Sequence, residues 1–321
     1  MKVLIVTNMY PRQGDVSWRG GFVKDQVDAY KKSTPSAQID VYHIKAKISG
    51  GTNLSYLKAL FEITYKALFG KYDVIHSHHA FCTLLCLFGR RKLVYTVHEG
   101  ELNNKKIRSA LIKLAIWLSD TAIYVSQSEF NKSTKNKKHL LPCGVNHIVF
   151  TPAEEPNKIK DQLGLPQNKN IILFPADPNR PEKNADVLKE VEKNATSLNH
   201  DCLFIYGGTI DKCEMQKYMQ ASDIVVSIGQ YESDGMVIKE AIACNTPVLA
   251  TNVGNATLYV NETNGILAEA IPNDISRAIN TLLSNNQSYR HGREHLLMLG
   301  QNMERVSESL NKIYHSVSAK K

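Results

Sequence analysis

Short apolar runs of strand length alternate with longer segments of helical periodicity along this chain of 321 residues. That rhythm restricts the fold more than any other feature. In the first half the strand-length runs are VLIVTN (3–8), IDVYHI (39–44), DVIHSH (73–78), KLVYTVH (92–98) and TAIYVS (121–126). Most of their residues are apolar on both sides of the strand, so these strands need cover on both faces. The segments between them, 22–32, 54–69, AFCTLLCLFG and 107–118, place apolar residues three and four apart. Strands buried on both faces and joined by helices form parallel sheets.

The rhythm restarts after a polar segment, 151–170, that contains Pro152, Pro156 and Pro166 and reads as a linker. NIILFPA, a helix over 185–194, CLFIYGG, a helix over 214–221, DIVVSIG (223–229), a helix over 235–244, TPVLATN, GILAE (265–269) and a helix over 273–283 follow in order. The tail from His295 is helical and is expected to cross back to the first half. The expected fold class is α/β, with two Rossmann-like, doubly wound domains. One covers 1–152 with 302–321 crossing back, and the other covers 153–301. Ligands of such domains collect at the carboxyl ends of the strands.

Composition removes several classes of function. No run of about 18 apolar residues is present, so no membrane-spanning helix is expected. The opening MKVLIVTNMYPRQG has too short an apolar run for a signal peptide, which implies a cytoplasmic protein. The six cysteines are scattered and read as buried, reduced thiols. TNMYPRQGDVSWRGGF contains no G-x-G-x-x-G, which argues against a dinucleotide-dependent oxidoreductase. HSHH (76–79) lacks the spacing of a zinc site and has no accompanying carboxylate, so no metal is expected.

Charge is shared unequally. Residues 1–150 hold 22 Lys and Arg against 10 Asp and Glu, a net of +12, and residues 151–321 carry −4. A basic half suits nucleic acid, an anionic membrane surface or a phosphorylated substrate. Nucleic acid is set aside, because the aromatic residues are not interleaved with the charge. KKIRSALIKLAIWL (105–118) places Ile107, Leu111, Leu114 and Leu118 at helical spacing among lysines, with Lys132, Lys135, Lys137 and Lys138 nearby. It is the candidate for membrane contact.

The stretch EMQKYMQASDIVVSIGQYESDGMVIKEAIACNTPVLATNVG contains Glu232 and Glu240 with seven residues between them. It resembles the nucleotide-sugar-binding segment of retaining family 4 glycosyltransferases, of the type that builds bacterial polysaccharides and glycoconjugates. Other landmarks agree in order: Gly20-Gly21, TVHE at 96–99, LPCGVNHIVFTP at 141–152 and NRPEKN at 179–184. The resemblance covers nearly the whole chain. It implies the GT-B fold of two facing Rossmann-like domains.

It also implies roles for individual residues. Glu232 would accept hydrogen bonds from the donor sugar, and Glu240 would chelate the ribose. The amides of Gly235, Met236 and Val237 would hold the diphosphate at a helix start, where the dipole favours anions. Ser233-Asp234-Gly235 replaces the common Gly-Phe-Gly, which puts the Asp234 charge near the phosphates, facing solvent or reading a sugar hydroxyl. Lys183 and Arg180 would stabilise the departing phosphate. Common members carry the arginine further upstream, where Asp177 and Pro178 stand here, so Arg180 would act from a differently shaped loop. Gly20 and Gly21 would let the first loop pass near the donor phosphate. His98 would contact the donor sugar. Arg19, Glu99, Glu101 and His78 are the acceptor-side candidates.

The implied activity is metal-independent and retaining, with no cofactor. A sugar would pass from a nucleoside-diphosphate sugar, UDP- rather than GDP-linked, to a glycan or lipid-linked acceptor in cell-envelope polysaccharide or capsule biosynthesis. The setting would be the cytoplasm, peripherally at the inner membrane face. The alternative is a catalytically weak or inactive nucleotide-sugar-binding protein.

Overall fold

The computed structural model describes residues 1–11, 20–45, 53–86, 92–98 and 106–319. The chain divides into two units, Met1–Gly144 with Met303–Lys321, and Val145–Asn302. The division falls before residue 152 because 145–150 is tied to the second unit. The Val145 amide donates to Gln301 O at 2.8 Å, and the Arg293 guanidinium donates to the carbonyls of Phe150 and His147 at 2.8 and 2.7 Å.

The first unit runs β1 (Lys2–Thr7), α1 (Gly21–Ser33), β2 (Gln38–His43), α2 (Asn53–Phe69), β3 (Val74–His78), α3 (Ala80–Leu85), β4 (Leu93–Val97), α4 (Lys106–Leu118), β5 (Thr121–Tyr124), α5 (Gln127–Lys132) and β6 (Lys138–Leu140). The strands form one parallel sheet in the order β2-β1-β3-β4-β5-β6. One face is covered by α2, α3 and α4. Ala59, Ile63, Cys82 and Cys86 pack on Leu4, Val6 and Ile75, and Ile112 and Ala115 pack beside Tyr95 and Val97. On α4 the buried residues are Ile112 and Ala115, while Leu114 and Trp117 face outward at 43% and 67% exposure.

The second unit runs α6 (Pro156–Gln162), β7 (Asn170–Phe174), α7 (Ala185–Lys193), β8 (Cys202–Tyr206), α8 (Lys212–Ala221), β9 (Ile224–Ser227), α9 (Met236–Ala243), β10 (Val248–Ala250), α10 (Ala256–Tyr259), β11 (Gly265–Leu267), α11 (Pro272–Ser284) and α12 (Gly292–Met298). Its parallel sheet has the order β11-β10-β9-β7-β8. The proline-bearing segment read as a linker holds α6, with Pro156 in its first turn, where the missing amide costs nothing.

The tail helix α13 (Met303–Ser318) belongs to the first unit. Its Val306, Leu310, Ile313, Tyr314 and Val317 join Val23, Val27 and Tyr30 over the sheet face opposite α2. The Tyr30 hydroxyl donates to Asn311 Oδ1 at 2.8 Å.

In each sheet the strand order reverses once, between β1 and β3 and between β7 and β9. Such switch points leave a crevice at the carboxyl ends of the strands, where doubly wound sheets bind ligands.

Candidate functional site

In the second unit, the loops that leave β7 and β9 meet at the switch point. Residues Pro181–Lys183 make one helical turn, and Asn184 closes it in the left-handed region at φ 56°. This turn is stapled to the loop after β9. The Asn184 Nδ2 group donates to Ile228 O at 2.9 Å, and the Gln230 amide donates to Glu182 O at 2.8 Å. The staple brings Lys183 to Glu232, with Nζ to Oε2 at 2.9 Å and both side chains partly exposed. Residues 49 positions apart thus form a half-open pair of opposite charges.

Arg180 is directed elsewhere. Its Nε and Nη2 reach Glu182 Oε1 at 2.8 and 2.6 Å. Burial alone would raise the Glu182 pKa, but its own backbone amide and the Arg180 guanidinium hold it below the usual range. A phosphate recruiting Arg180 must therefore compete with Glu182.

Beside the Lys183–Glu232 pair, α9 begins without a side-chain cap. Gly235 is its N-cap, at φ 82°, a conformation that glycine adopts without strain. Met236, Val237 and Glu240 share the half-buried face of α9, and Ile238, Lys239, Ala241 and Ile242 form the buried one. The first amides of a helix have no internal partners, and the dipole makes them anion-seeking.

Asp234 corrects the sequence reading. It does not face solvent, and it is 3% exposed. Its Oδ2 receives Lys239 Nζ at 2.5 Å, and its Oδ1 accepts from Asn255 Nδ2 at 2.8 Å and from the Tyr259 hydroxyl at 2.5 Å. The Lys239 ammonium lies 5.2 Å from the centre of the Tyr259 ring. With these partners the carboxylate is turned into the protein, where it anchors the loop. Gly254 supports the same loop. A Cβ there would sit 2.3 Å from Glu232 O.

Lys239, Gly254, Asn255 and Tyr259 were absent from the sequence reading. One signal was present. Lys239 precedes Ile242 and Ala243 by three and four residues, so it shares their buried face, and a buried lysine requires a partner.

In the first unit, Gly20 is the N-cap of α1 at φ 69°, and a Cβ on it would lie 2.4 Å from Met9 C. The loop after β1 thus closes tightly on the start of α1, with Gly21 buried. His98 follows β4 and is half-buried. Phe22 packs on its ring at 4.8 Å between centroids.

His78 is also corrected. It is fully buried, so it offers no surface to an acceptor. Its Nδ1 lies 2.9 Å from His98 Nε2, and the two rings stack at an interplanar angle of 15°. Burial, and then neighbouring His76 and His98, hold the His78 pKa well below the usual value, so the ring stays neutral. A neutral His78 supports and orients His98.

His76 is structural. Its Nδ1 pairs with the Tyr314 hydroxyl and its Nε2 with Thr96 Oγ1, both at 2.6 Å. His79 is the N-cap of α3 and accepts from the Phe81 amide at 3.3 Å. The HSHH run thus divides into three separate tasks. Among the described residues no three His, Cys, Asp or Glu groups converge as metal ligands. Arg19, Glu99 and Glu101 lie outside the described residues.

The buried histidines carry a pH signature. Burial, and then the charge of His98, push His76 from 6.5 down to about 3. An unfolded chain binds protons below pH 6.5 that folded His76 refuses. Stability should therefore be fully present above that pH and fall as the pH drops, by about 1.4 kcal/mol per pH unit for each such histidine. Denaturant melts at neutral and mildly acidic pH should show the loss, and His76→Gln should flatten the slope. Equal slopes for the two proteins would assign the acid sensitivity to other groups.

Residues 28–149 match the family described as Glycosyltransferase Family 4, and residues 187–302 match Glycosyl transferases group 1. A protein of Methanocaldococcus jannaschii described as an uncharacterized glycosyltransferase is 25% identical over 244 residues, spanning 67% of this chain and 66% of that protein. Matches to curated relatives span from about half to about two thirds of the relatives' own length. Sucrose-phosphate synthase from Thermosynechococcus elongatus superposes with a TM-score of 0.81 at 18% identity, over 100% of both chains. Anabaena HepE in complex with UDP and glucose gives 0.73 at 17% identity, over 98% of this chain and 100% of that one.

Proposed function

The chain belongs to the family 4 glycosyltransferases, with the GT-B fold, and we propose that it moves a sugar from a UDP-sugar to a glycan or lipid-linked acceptor, with retention and without a metal. The observation that carries this reading is the Lys183–Glu232 pair beside the uncapped start of α9. It combines one cation, one carboxylate and a set of bare amides at a switch point. That arrangement suits a ligand with both a diphosphate and a hydroxyl-bearing sugar. The choice of a UDP-sugar follows HepE, which is similar in fold and whose structure holds UDP and glucose.

On this reading Glu240 grips the ribose, and the amides from Gly235 onward hold the diphosphate. Glu232 takes sugar hydroxyls, and Lys183 moves to the phosphate. As the bond from the anomeric carbon to the phosphate oxygen breaks, negative charge grows on the leaving group. Lys183 and the helix start meet that charge in place of a metal ion. The acceptor hydroxyl attacks the face that the phosphate leaves and gives its proton to that phosphate. The reaction belongs to cell-envelope polysaccharide assembly at the inner membrane face.

A second reading, nucleotide-sugar binding without turnover, draws on the carboxylates already paired with Arg180 and Lys183. Calorimetric titration with UDP and GDP tests donor binding. Glu240→Ala should weaken UDP by roughly 10- to 100-fold, as expected when charge-assisted hydrogen bonds worth about 1.5–3 kcal/mol are lost. Failure of both nucleotides to bind the unaltered protein at millimolar concentration would refute the assignment. A screen of nucleotide sugars for released sugar, read by mass spectrometry, separates turnover from binding alone.

A further inference from the structure

All the exposed large apolar side chains described in the first unit lie on α2, α3 and α4, the helices that cover one face of its sheet. The densest group is on α2. Leu54, Leu57, Phe61, Tyr65, Leu68 and Phe69 are each between 53% and 71% exposed. At 3.6 residues per turn these six fall within an arc of about 120°, which Lys58 alone interrupts. The opposite side of the helix, centred on Ala59 and Ile63, is buried against β1 and β3. A helix on a protein surface ordinarily turns a polar face outward. This one carries apolar side chains on both sides, and an outward stripe of this size marks an interaction site.

Charge identifies the partner. Residues 53–138 hold 14 Lys and Arg against 6 Asp and Glu, a net of +8. Lys58 and Lys66 lie on α2, and Lys71 follows it. Beside the exposed Trp117 of α4, a groove of about 930 Å³ is lined by Lys113, Lys132, Lys135 and Lys137 together with Asp120 and Glu129, which pair with Lys137 and Lys132. Basic residues near an anionic leaflet contribute about 1 kcal/mol each. The same basic excess opposes docking on a second copy of this chain. Aromatic and aliphatic side chains on one face, bordered by lysines, are the composition of helices that lie in the membrane interface.

We propose that α2 lies in the plane of an anionic bilayer, with Phe61, Tyr65 and Phe69 among the acyl chains and the lysines of the α2–α5 layer at the headgroups. This deepens the membrane-side part of the proposed function and is independent of nucleotide binding. It also moves the main contact away from α4, where the sequence placed it. No helix among the described residues is long and apolar enough to cross a membrane.

The test is co-sedimentation of the full chain with phosphatidylcholine vesicles, with and without phosphatidylglycerol. Binding should require the anionic lipid and weaken with salt. The triple variant Phe61→Ser, Tyr65→Ser, Phe69→Ser should bind at least about tenfold more weakly. Lys58→Glu with Lys66→Glu, which leaves every apolar side chain in place, should also bind less. UDP titration of the same proteins should be unchanged, so failure of the donor-site reading would register separately. Absence of binding to anionic vesicles at low salt, or equal binding by the triple variant, would overturn the proposal. So would a protein that ignores lipid and forms a dimer that the triple variant dissociates.

Discussion

Asp234→Ala is expected to destabilise the second unit by about 3–5 kcal/mol, the cost of removing one partner from a buried ion pair. Lys239 is 0% exposed and the Asp234 side chain 4%, so water cannot take over the vacated role. Lys239 would keep a buried charge without its carboxylate partner, and Asn255 and Tyr259 would lose a shared acceptor. In a unit of this size the melting temperature should drop by roughly 6–20 °C. Asp234→Leu combined with Lys239→Met should recover much of the loss, because apolar replacement of a whole buried pair is often tolerated. Thermal melts of the single and double variants decide the matter. Unchanged melting with lost UDP affinity would return Asp234 to the donor site.

That pair also shows where sequence reasoning stopped. The alternation of strands and helices was legible, since strands such as LVYTV and NIILF are buried on both faces and little else fits them. The strand β6, only KHL and half-buried, carries no apolar signal. Helix α10 has four residues, too few to show a period. The spacing of Glu232, Gly235 and Glu240 was visible because it lies along one stretch. The direction of Asp234 was not, because Asn255 and Tyr259 hold it from 21 and 25 positions away. On α2, apolar residues three and four apart fitted a single packed face equally well. Only the fold separates Ala59 and Ile63, which are buried, from Phe61 and Tyr65, which are not.

Lys183→Ala should have the opposite profile to Asp234→Ala, leaving the fold intact and removing turnover. Lys183 and Glu232 are 18% and 26% exposed, so water reaches the vacated partner and the cost to stability should stay well below that of the fully buried Asp234–Lys239 pair. Their value lies in exchange. Without donor they neutralise each other at 2.9 Å. With donor bound, each would gain a better partner, the lysine a phosphate and the glutamate a sugar hydroxyl. On the proposed reading the lysine would then stabilise charge that is greatest in the transition state, so its removal should lower kcat/KM by roughly 100- to 1000-fold. Glu232→Gln keeps the shape and one acceptor oxygen, and should retain more activity than Lys183→Ala. Steady-state transfer assays paired with thermal melts read both quantities. Full activity in Lys183→Ala would remove it from the site, and a melting loss as large as that of Asp234→Ala would make it structural. Two carboxylates two positions apart therefore face opposite ways. Asp234 turns inward to a cation that the fold cannot release, and Glu232 turns outward to one that a ligand can take.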